Sequence, residues 1–315
     1  MSARPDHTAA AAVPLDPAPF PHLSRKPASG LPMALGAYIA WGFLPLYLRL
    51  LQEVPALELV GWRVIFTLPF CLAIVALRGQ TGEVLAALRN PAILVRLLAS
   101  AAFIAFNWLV YIAAVNGGHI YAASLGYYIN PLVNILLGTV FLKERLSRTQ
   151  WFAVWLAALG VALLLGGAHD TLWISLALAL SFSFYGLIRK LTPVGAVPGL
   201  TVESLLLLIP AIATVAWFGS TPAGSSFGVD QTTSALLVGA GVLTAVPLLL
   251  FAVAARRLEY SLLGFVQFLS PTIAFVLGLT VFGEILRPVQ LGCFILIWAA
   301  IAVFSWDLLS RRKPG

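Results

Sequence analysis

The sequence predicts an all-α membrane protein of ten transmembrane helices, built as two inverted five-helix repeats. Three observations support this fold class: few charges, ten apolar segments of bilayer length, and a self-match at one constant shift. Of the 315 residues, 60% are apolar and 10% are charged, whereas soluble domains average about 25% charged residues. So few charges cannot cover a water-exposed surface of this size. Most of the outside is therefore expected to contact lipid.

Ten segments have the length of a transmembrane helix, about 20 apolar residues for about 30 Å of hydrocarbon. They lie approximately at residues 32–51, 56–77, 92–115, 120–142, 149–167, 171–190, 197–219, 234–256, 260–282 and 288–308. Most connections between these spans are a few residues long. They leave no room for a soluble catalytic domain, and no enzyme is predicted.

The lysine and arginine residues indicate the orientation of the spans. With the N-terminus in the cytoplasm, all 19 basic residues except Arg49, Arg63 and Arg287 fall on the cytoplasmic side. This excess is the positive-inside pattern, and moving the frame by one span would destroy it. Both termini are therefore expected in the cytoplasm. The net charge of +7 does not indicate a nucleic-acid partner, because the basic residues are spread over short loops.

A shift of the chain against itself by 140 residues reveals an internal repeat. The shift aligns residue types that seldom coincide by chance: Arg49 with Arg189, Pro131 with Pro271, Gly138 with Gly278, Glu144 with Glu284 and Gln150 with Gln290. Because each unit holds five spans, an odd number, the two copies must be inverted relative to each other. Inverted repeats of this kind are typical of secondary transporters.

The repeat predicts the domain organisation. Residues 1–30 read as a disordered cytoplasmic tail, because a proline- and alanine-rich segment without an apolar run cannot offset its ordering entropy. Residues 31–168 form the first five-helix unit, residues 169–310 the second, inverted unit, and residues 311–315 a short cytoplasmic tail.

Several motifs in both halves carry a family resemblance. They are Asn107-Trp108, the run SLGYYINPLVN at 124–134, Glu144-Arg145, the run FSFYGLIRK at 182–190 and Val246-Pro247-Leu248. Over about residues 30–310 the chain resembles the RarD-like permeases of the EamA family, within the drug/metabolite transporter superfamily. The resemblance implies a ten-helix fold with a central cavity lined mainly by spans 1, 3, 4, 6, 8 and 9. It also implies an inner-membrane location in a bacterial cell and permease activity in the direction of efflux.

One polar face of predicted span 4 is a candidate solute-binding surface. Tyr127, Asn130 and Asn134 share this helical face, and the 140-residue shift places Gln267 and Ser270 on the same face of span 9. Polar groups exposed to hydrocarbon are costly, so the face must contact protein or water. Two interpretations stay open: a cavity wall that contacts solute, or hydrogen-bonding contacts that hold helices together.

Four further residues combine an aromatic or amide group with a position inside a span: Trp41, Asn107, Tyr111 and Tyr185. Aromatic walls with a few polar groups suit a small amphipathic solute. Aromatic residues near span ends, such as Tyr38, are alternatively anchors at the membrane interface.

Prolines inside the spans are predicted to interrupt helices, because proline lacks the N–H that would bond the carbonyl four residues earlier. These helix-break candidates are Pro45, Pro131, Pro247 and Pro271.

Two charged residues, Arg63 and Glu203, lie inside spans 2 and 7 at positions equivalent under the repeat. Each would cost roughly 2.5–3.5 kcal/mol at the centre of a lipid-facing helix, so neither is expected to face lipid. Inversion places them toward opposite sides of the membrane, which argues against direct contact. They are candidates for solute or proton coupling, or for a structural role.

No metal site or cofactor is predicted, because the histidines and cysteines show no ligand spacing and no P-loop is present. The sequence therefore favours a secondary transporter for a small amphipathic metabolite or drug. The alternative is a membrane binding or sensory subunit that does not transport. The expected partners are the lipid bilayer and the small-molecule solute, and small residues in span 5 would also permit a homodimer.

Overall fold

The computed structural model describes residues 30–117, 119–165, 172–283 and 287–311. These residues form helices and connecting segments, without a strand among them. The helices are α1 Leu31–Arg49, α2 Ala56–Leu77, α3 Thr81–Arg89, α4 Pro91–Asn116, α5 Ile120–Val140, α6 Arg148–Leu165, α7 Leu172–Leu191, α8 Ala196–Ser220, α9 Gln231–Arg257, α10 Tyr260–Gln267, α11 Leu269–Thr280 and α12 Pro288–Arg311. The tails predicted at the two ends lie outside the described residues, apart from Gly30 and Arg311.

The described helices are those of a multi-pass membrane protein. Nine segments are long and apolar enough to cross a bilayer, with α10 and α11 counted together as Tyr260–Thr280. Helix α5 is not among the nine, although it has 21 residues. With α5 as a tenth, the described spans follow the predicted segments to within a few residues.

Two local features differ from the sequence prediction. The short helix α3 was not expected; it is too short to span and buries Val84 and Ala87 against Val197 and Val202 of α8. The ninth span divides at Phe268, between α10 and α11. Pro271 lies three residues after this division and cannot donate an N–H to the carbonyl four residues before it.

The other helix-break predictions were wrong. Pro45, Pro131 and Pro247 lie inside helices α1, α5 and α9, each of which continues through its proline. A proline in a transmembrane helix is tolerated where the surrounding helices accommodate the freed backbone groups.

Several of the largest helix contacts are matched when the two halves are exchanged. Under the 140-residue shift the counterparts are α1 and α7, α2 and α8, α4 and α9, α5 and α10–α11, and α6 and α12. The contact of α5 with α7 is matched by that of α1 with α11, and the contact of α4 with α7 by that of α1 with α9. Three counterpart pairs contact each other: α2 with α8, α5 with α10, and α6 with α12. A pseudo-two-fold axis would produce this pattern.

The small-residue face of span 5 is used within the chain. Ala153 and Ala157 are fully buried, and a Cβ added at Gly160 would lie 2.9 Å from the carbonyl oxygen of Cys293 in α12. Small residues thus let α6 and α12 approach closely. The homodimer stays a prediction that rests on no other feature of the described residues.

Candidate solute-binding cavity

A cavity of about 230 Å³ lies among helices α1, α2, α4, α5, α7, α9, α10 and α11. Aromatic rings form much of its wall: Tyr38, Trp41, Trp108, Tyr111, Tyr127, Tyr128 and Phe182. A smaller set of polar side chains adds hydrogen-bonding groups: Arg63, Asn107, Ser124, Thr244, Gln267 and Ser270. A wall of this composition suits a solute with an apolar body and a few polar groups.

Six of the nine residues proposed as solute contacts line this cavity. They are Trp41, Asn107, Tyr111, Tyr127, Gln267 and Ser270, and Arg63, Pro45 and Pro271 line it as well. The rings of Tyr111 and Tyr127 meet edge to face with centroids 6.0 Å apart. The Asn107 amide donates to the Leu178 carbonyl and to Ser181 Oγ, both at 2.9 Å. The Asn107 side chain is therefore held by α7 at the cavity wall.

Asn130 and Asn134 do not line the cavity. They are buried beside it in a network of amides that joins three helices. Asn134 Nδ2 donates to Gln267 Oε1 at 2.6 Å, Gln267 Nε2 donates to Asn130 Oδ1, and Asn130 Nδ2 donates to the Ala179 carbonyl at 2.8 Å. The polar face of α5 therefore divides: Tyr127 faces the cavity, and the two asparagines bind α7 and α10.

Tyr185 belongs to a packed group of four rings, here called the aromatic plug: Tyr38, Phe182, Tyr185 and Phe251. Phe251 is central, with ring centroids 5.3 Å from Phe182, 6.1 Å from Tyr185 and 6.3 Å from Tyr38. Tyr38, Tyr185 and Phe251 are at most 1% exposed, so Tyr38 is not an interface anchor and Tyr185 lies behind the cavity wall. The plug closes one end of the cavity.

The cavity extends from this plug toward one face of the bilayer. Its lining residues run from Trp41 to Leu48 along α1 and from Ile104 to Tyr111 along α4, which is toward the C-terminal ends of both helices. Phe251 and Tyr185 lie near the C-terminal ends of α9 and α7, at the opposite face. The two ends of the cavity therefore differ. Lining residues of α1 and α4 continue toward one end, and the packed rings of the aromatic plug occupy the other.

Arg63 is the only charged residue among the described residues that line the cavity. Its Nε donates to Thr244 Oγ1 at 2.8 Å, and its guanidinium carbon lies 5.3 Å from the centroid of the Trp108 ring. A cation over an aromatic face is stabilised by the ring's quadrupole. The side chain is half-buried and makes no ion pair with a described carboxylate.

Glu203 has different partners, as expected from the inversion of the repeats. Arg189 Nε lies 3.6 Å from Glu203 Oε1, and Ser100 donates a hydrogen bond to the same oxygen. The arginine and the glutamate are 1% and 2% exposed. Glu203 lines a small pocket that shares Trp108 and Thr244 with the main cavity. The buried pair therefore lies next to the cavity and outside its lining.

Comparison with known proteins identifies the family. Residues 28–166 match the profile described as the EamA-like transporter family. An uncharacterised transporter of Pseudomonas aeruginosa is 44% identical to this chain over 287 residues, which are 90% of the chain and 96% of that relative. The chain belongs to the EamA-like transporter family.

Further EamA relatives extend over nearly the whole chain. Protein RarD of Escherichia coli is 40% identical and covers 92% of this chain and 98% of its own length. Chloramphenicol-sensitive protein RarD of Pseudomonas aeruginosa is 30% identical over 90% of this chain and 95% of its own. A solved crystal structure superposes with a TM-score of 0.70 at 20% identity, over 90% of this chain and 98% of that one. The crystal structure shows that the fold is shared.

In this EamA-like transporter, Glu144 holds the plug end of the bundle together. Its carboxylate accepts hydrogen bonds from the backbone N–H groups of Tyr260 and Ser261 at 2.6 and 2.8 Å, and from Ser261 Oγ at 2.7 Å. A carboxylate at a helix N-terminus is favoured by the free N–H groups and the helix dipole. The contact therefore ties the end of α5 to the start of α10. The counterpart Glu284 lies outside the described residues.

Sequence reasoning missed two parts of this EamA-like site. It assigned Arg189 to the cytoplasmic loop charges, although the match of Arg189 with Arg49 in the repeat was a signal for a structural position. It also named Trp108 and Phe182 only as parts of family motifs and did not assign them to the cavity, because an apolar aromatic residue in a span carries no local sign of the cavity. Among the described residues, no cluster of histidine, cysteine and carboxylate side chains could hold a metal ion.

Proposed function

We propose that this EamA-like transporter is a secondary transporter that exports a small amphipathic metabolite or drug across the bacterial inner membrane. The observation that carries the proposal is the aromatic cavity, whose lining lies along one half of the bundle while the packed rings of the plug lie in the other. A transporter that alternates access needs one such site with one open and one closed path.

The positive-inside pattern gives the cavity a direction. With the N-terminus of α1 in the cytoplasm, the cavity extends outward and the aromatic plug and the Glu144 contact lie on the cytoplasmic side. The conformation is then outward-facing. Opening the plug and closing the outer half would produce the inward-facing state.

Two near-equivalent halves support this exchange of states. We take residues 31–168 and 169–310 as the two repeats, and several of the largest helix contacts are matched when these halves are exchanged. Inverted halves of this kind allow rigid-body rocking around a site near the middle of the membrane.

A flux measurement tests transport against the alternative of a non-transporting binding or sensory subunit. Metabolite profiles of the medium from cells with and without the protein would first identify exported solutes. Each solute would then be loaded into proteoliposomes with the purified full-length protein. A transporter releases the solute down its gradient, and Trp41→Ala or Tyr127→Ala should slow release without loss of the folded protein. Saturable binding without flux would instead support the binding subunit.

The relative named for chloramphenicol sensitivity suggests chloramphenicol as one drug to include in the flux measurement. Its aromatic ring and polar groups fit the class of solute proposed here. A proteoliposome without protein and one with the Tyr127→Ala variant serve as controls.

A further inference from the structure

We propose that the transported solute carries a carboxylate and that Arg63 binds it. This inference rests on the proposed transport function and adds the chemical class of the solute.

The guanidinium of Arg63 has hydrogen-bonding capacity that the protein leaves unused. An arginine side chain carries five N–H donors in a planar fork. Among the described residues one of these donors has a protein acceptor, Thr244 Oγ1. The Trp108 ring covers one face of the guanidinium. The N–H groups at the edge of the guanidinium therefore remain available to a solute in the cavity. A carboxylate matches such an edge with two parallel hydrogen bonds.

The positive charge of Arg63 has no counter-charge among the described residues of the cavity wall. Burying a charge inside a membrane protein is costly unless an opposite charge or water compensates it. Glu203, in the neighbouring pocket, pairs with Arg189 and accepts from Ser100 through Oε1, and its Oε2 makes no hydrogen bond or ion pair with Arg63. Glu58, five residues before Arg63 in α2, is held by Ser225 and Ser226. The described protein therefore supplies no free carboxylate to Arg63.

The comparison of the two repeats explains why the partner is missing. The 140-residue shift relates Arg49 to Arg189 and Arg63 to Glu203. In the second half the two equivalent positions form the buried ion pair. In the first half both positions are arginines, and Arg49 is exposed and lies 5.2 Å from the ring centroid of Phe282. The charge that Glu203 supplies in the second half would come from the solute in the first.

The aromatic residues of the cavity wall determine which apolar body the solute can carry beside its carboxylate. Trp41, Trp108, Tyr111 and Tyr127 offer ring surfaces in the same cavity wall as Arg63, and ring surfaces favour an aromatic or branched apolar body. These rings alone would also accept a cation. Arg63 is therefore the residue that makes the cavity prefer an anion.

A binding experiment with three probes of one shape tests the proposal: phenylbutyrate, phenylbutanamide and phenylbutylamine. Their affinities for the purified full-length protein are measured by calorimetry. The carboxylate should bind at least about ten-fold more tightly than the amide, and the ammonium should bind most weakly. Arg63→Gln should remove the preference for the carboxylate while affinity for the amide changes little. Arg63→Lys should keep part of it, because lysine retains the charge without the fork.

Arg49→Gln is the matched control, since it removes a basic residue outside the cavity, and it should keep the wild-type preference. The wild-type comparison needs no variant, so misfolding of Arg63→Gln does not remove the test.

Equal affinities for the three probes, no binding of any probe, or a preference that survives Arg63→Gln would overturn the proposal. A carboxylate that binds with the expected preference but does not cross proteoliposomes would instead refute the transport function alone. Flux of a neutral or cationic solute without carboxylate preference would refute the anion site alone.

Discussion

Arg189 and Glu203 form an ion pair inside the helix bundle, with Arg189 Nε 3.6 Å from Glu203 Oε1 and both side chains almost fully buried. The pair joins α7 to α8, and Ser100 adds α4. Both partners still have buried polar atoms without a hydrogen bond among the described residues. Loss of either partner should therefore leave a charge that nothing nearby compensates.

The first prediction concerns the stability of this pair. Glu203→Leu should destabilise the protein by roughly 3–5 kcal/mol, because it leaves Arg189 buried and uncompensated. The double variant Arg189→Met with Glu203→Leu should recover much of the loss. Thermal unfolding in detergent measures both, with Glu53→Leu, an exposed loop residue, as the control. A double variant no more stable than Glu203→Leu would show that the pair is not the source of the effect.

The same pair separates a coupling role for Glu203 from a structural one. If Glu203 carries a coupled proton, Glu203→Gln should abolish the pH dependence of solute flux in proteoliposomes. If its role is structural, the variant should lower stability and leave the shape of the pH profile as in the wild type. The buried ion pair favours the structural outcome.

The second prediction concerns Gly199, which faces Arg189. A Cβ at this position would overlap Arg189 Nη1, so Gly199→Ala should displace the guanidinium and lower the melting temperature. Gly219, in the same helix, has no atom within 4 Å of an added Cβ. Gly219→Ala should be neutral or stabilise the helix by up to about 1 kcal/mol. Equal effects of the two substitutions would contradict the packing at Gly199.

The third prediction concerns the amide network. Asn130→Ala would remove the acceptor of Gln267 Nε2 and the donor to the Ala179 carbonyl. Buried polar groups left without partners cost about 1–3 kcal/mol, although hydrogen bonds in membranes average nearer 0.6 kcal/mol. We expect a loss of about 1–2 kcal/mol, measured by unfolding in detergent. Gln52→Ala, at an exposed loop position, is the control, and a loss no larger than that of the control would contradict the network.

The fourth prediction concerns the outward-facing state. In a background with Cys71 and Cys293 replaced by alanine, Ala274→Cys places a thiol in the cavity wall. A membrane-impermeant thiol reagent added to intact cells should modify it. Ala255→Cys, at a fully buried position on the plug side, should stay unmodified from outside. Modification of Ala274→Cys from the cytoplasmic side alone would reverse the assigned direction.

The sequence predicted most of the spans because their signal is local. Length and apolar composition locate each helix, and the basic loop residues orient it without reference to its neighbours. Helix α3 was not predicted, because a short amphipathic segment has neither the length nor the apolar composition of a transmembrane helix. The break at Phe268 and the continuity of α5 through Pro131 could not be distinguished, since both segments carry a proline at the same repeat position.

For this protein, the sequence alone determined the membrane class, the repeat and the shared polar face of α5. The tertiary structure decided which members of that face line the cavity. Periodicity states which side chains share a side of a helix, but the adjacent helices decide whether each polar group finds a partner. Asn130 and Asn134 form hydrogen bonds with the Gln267 amide and the Ala179 carbonyl, and these bonds hold the helices together. Arg63 contacts the Thr244 hydroxyl and the Trp108 ring, and its charge lies in the cavity wall.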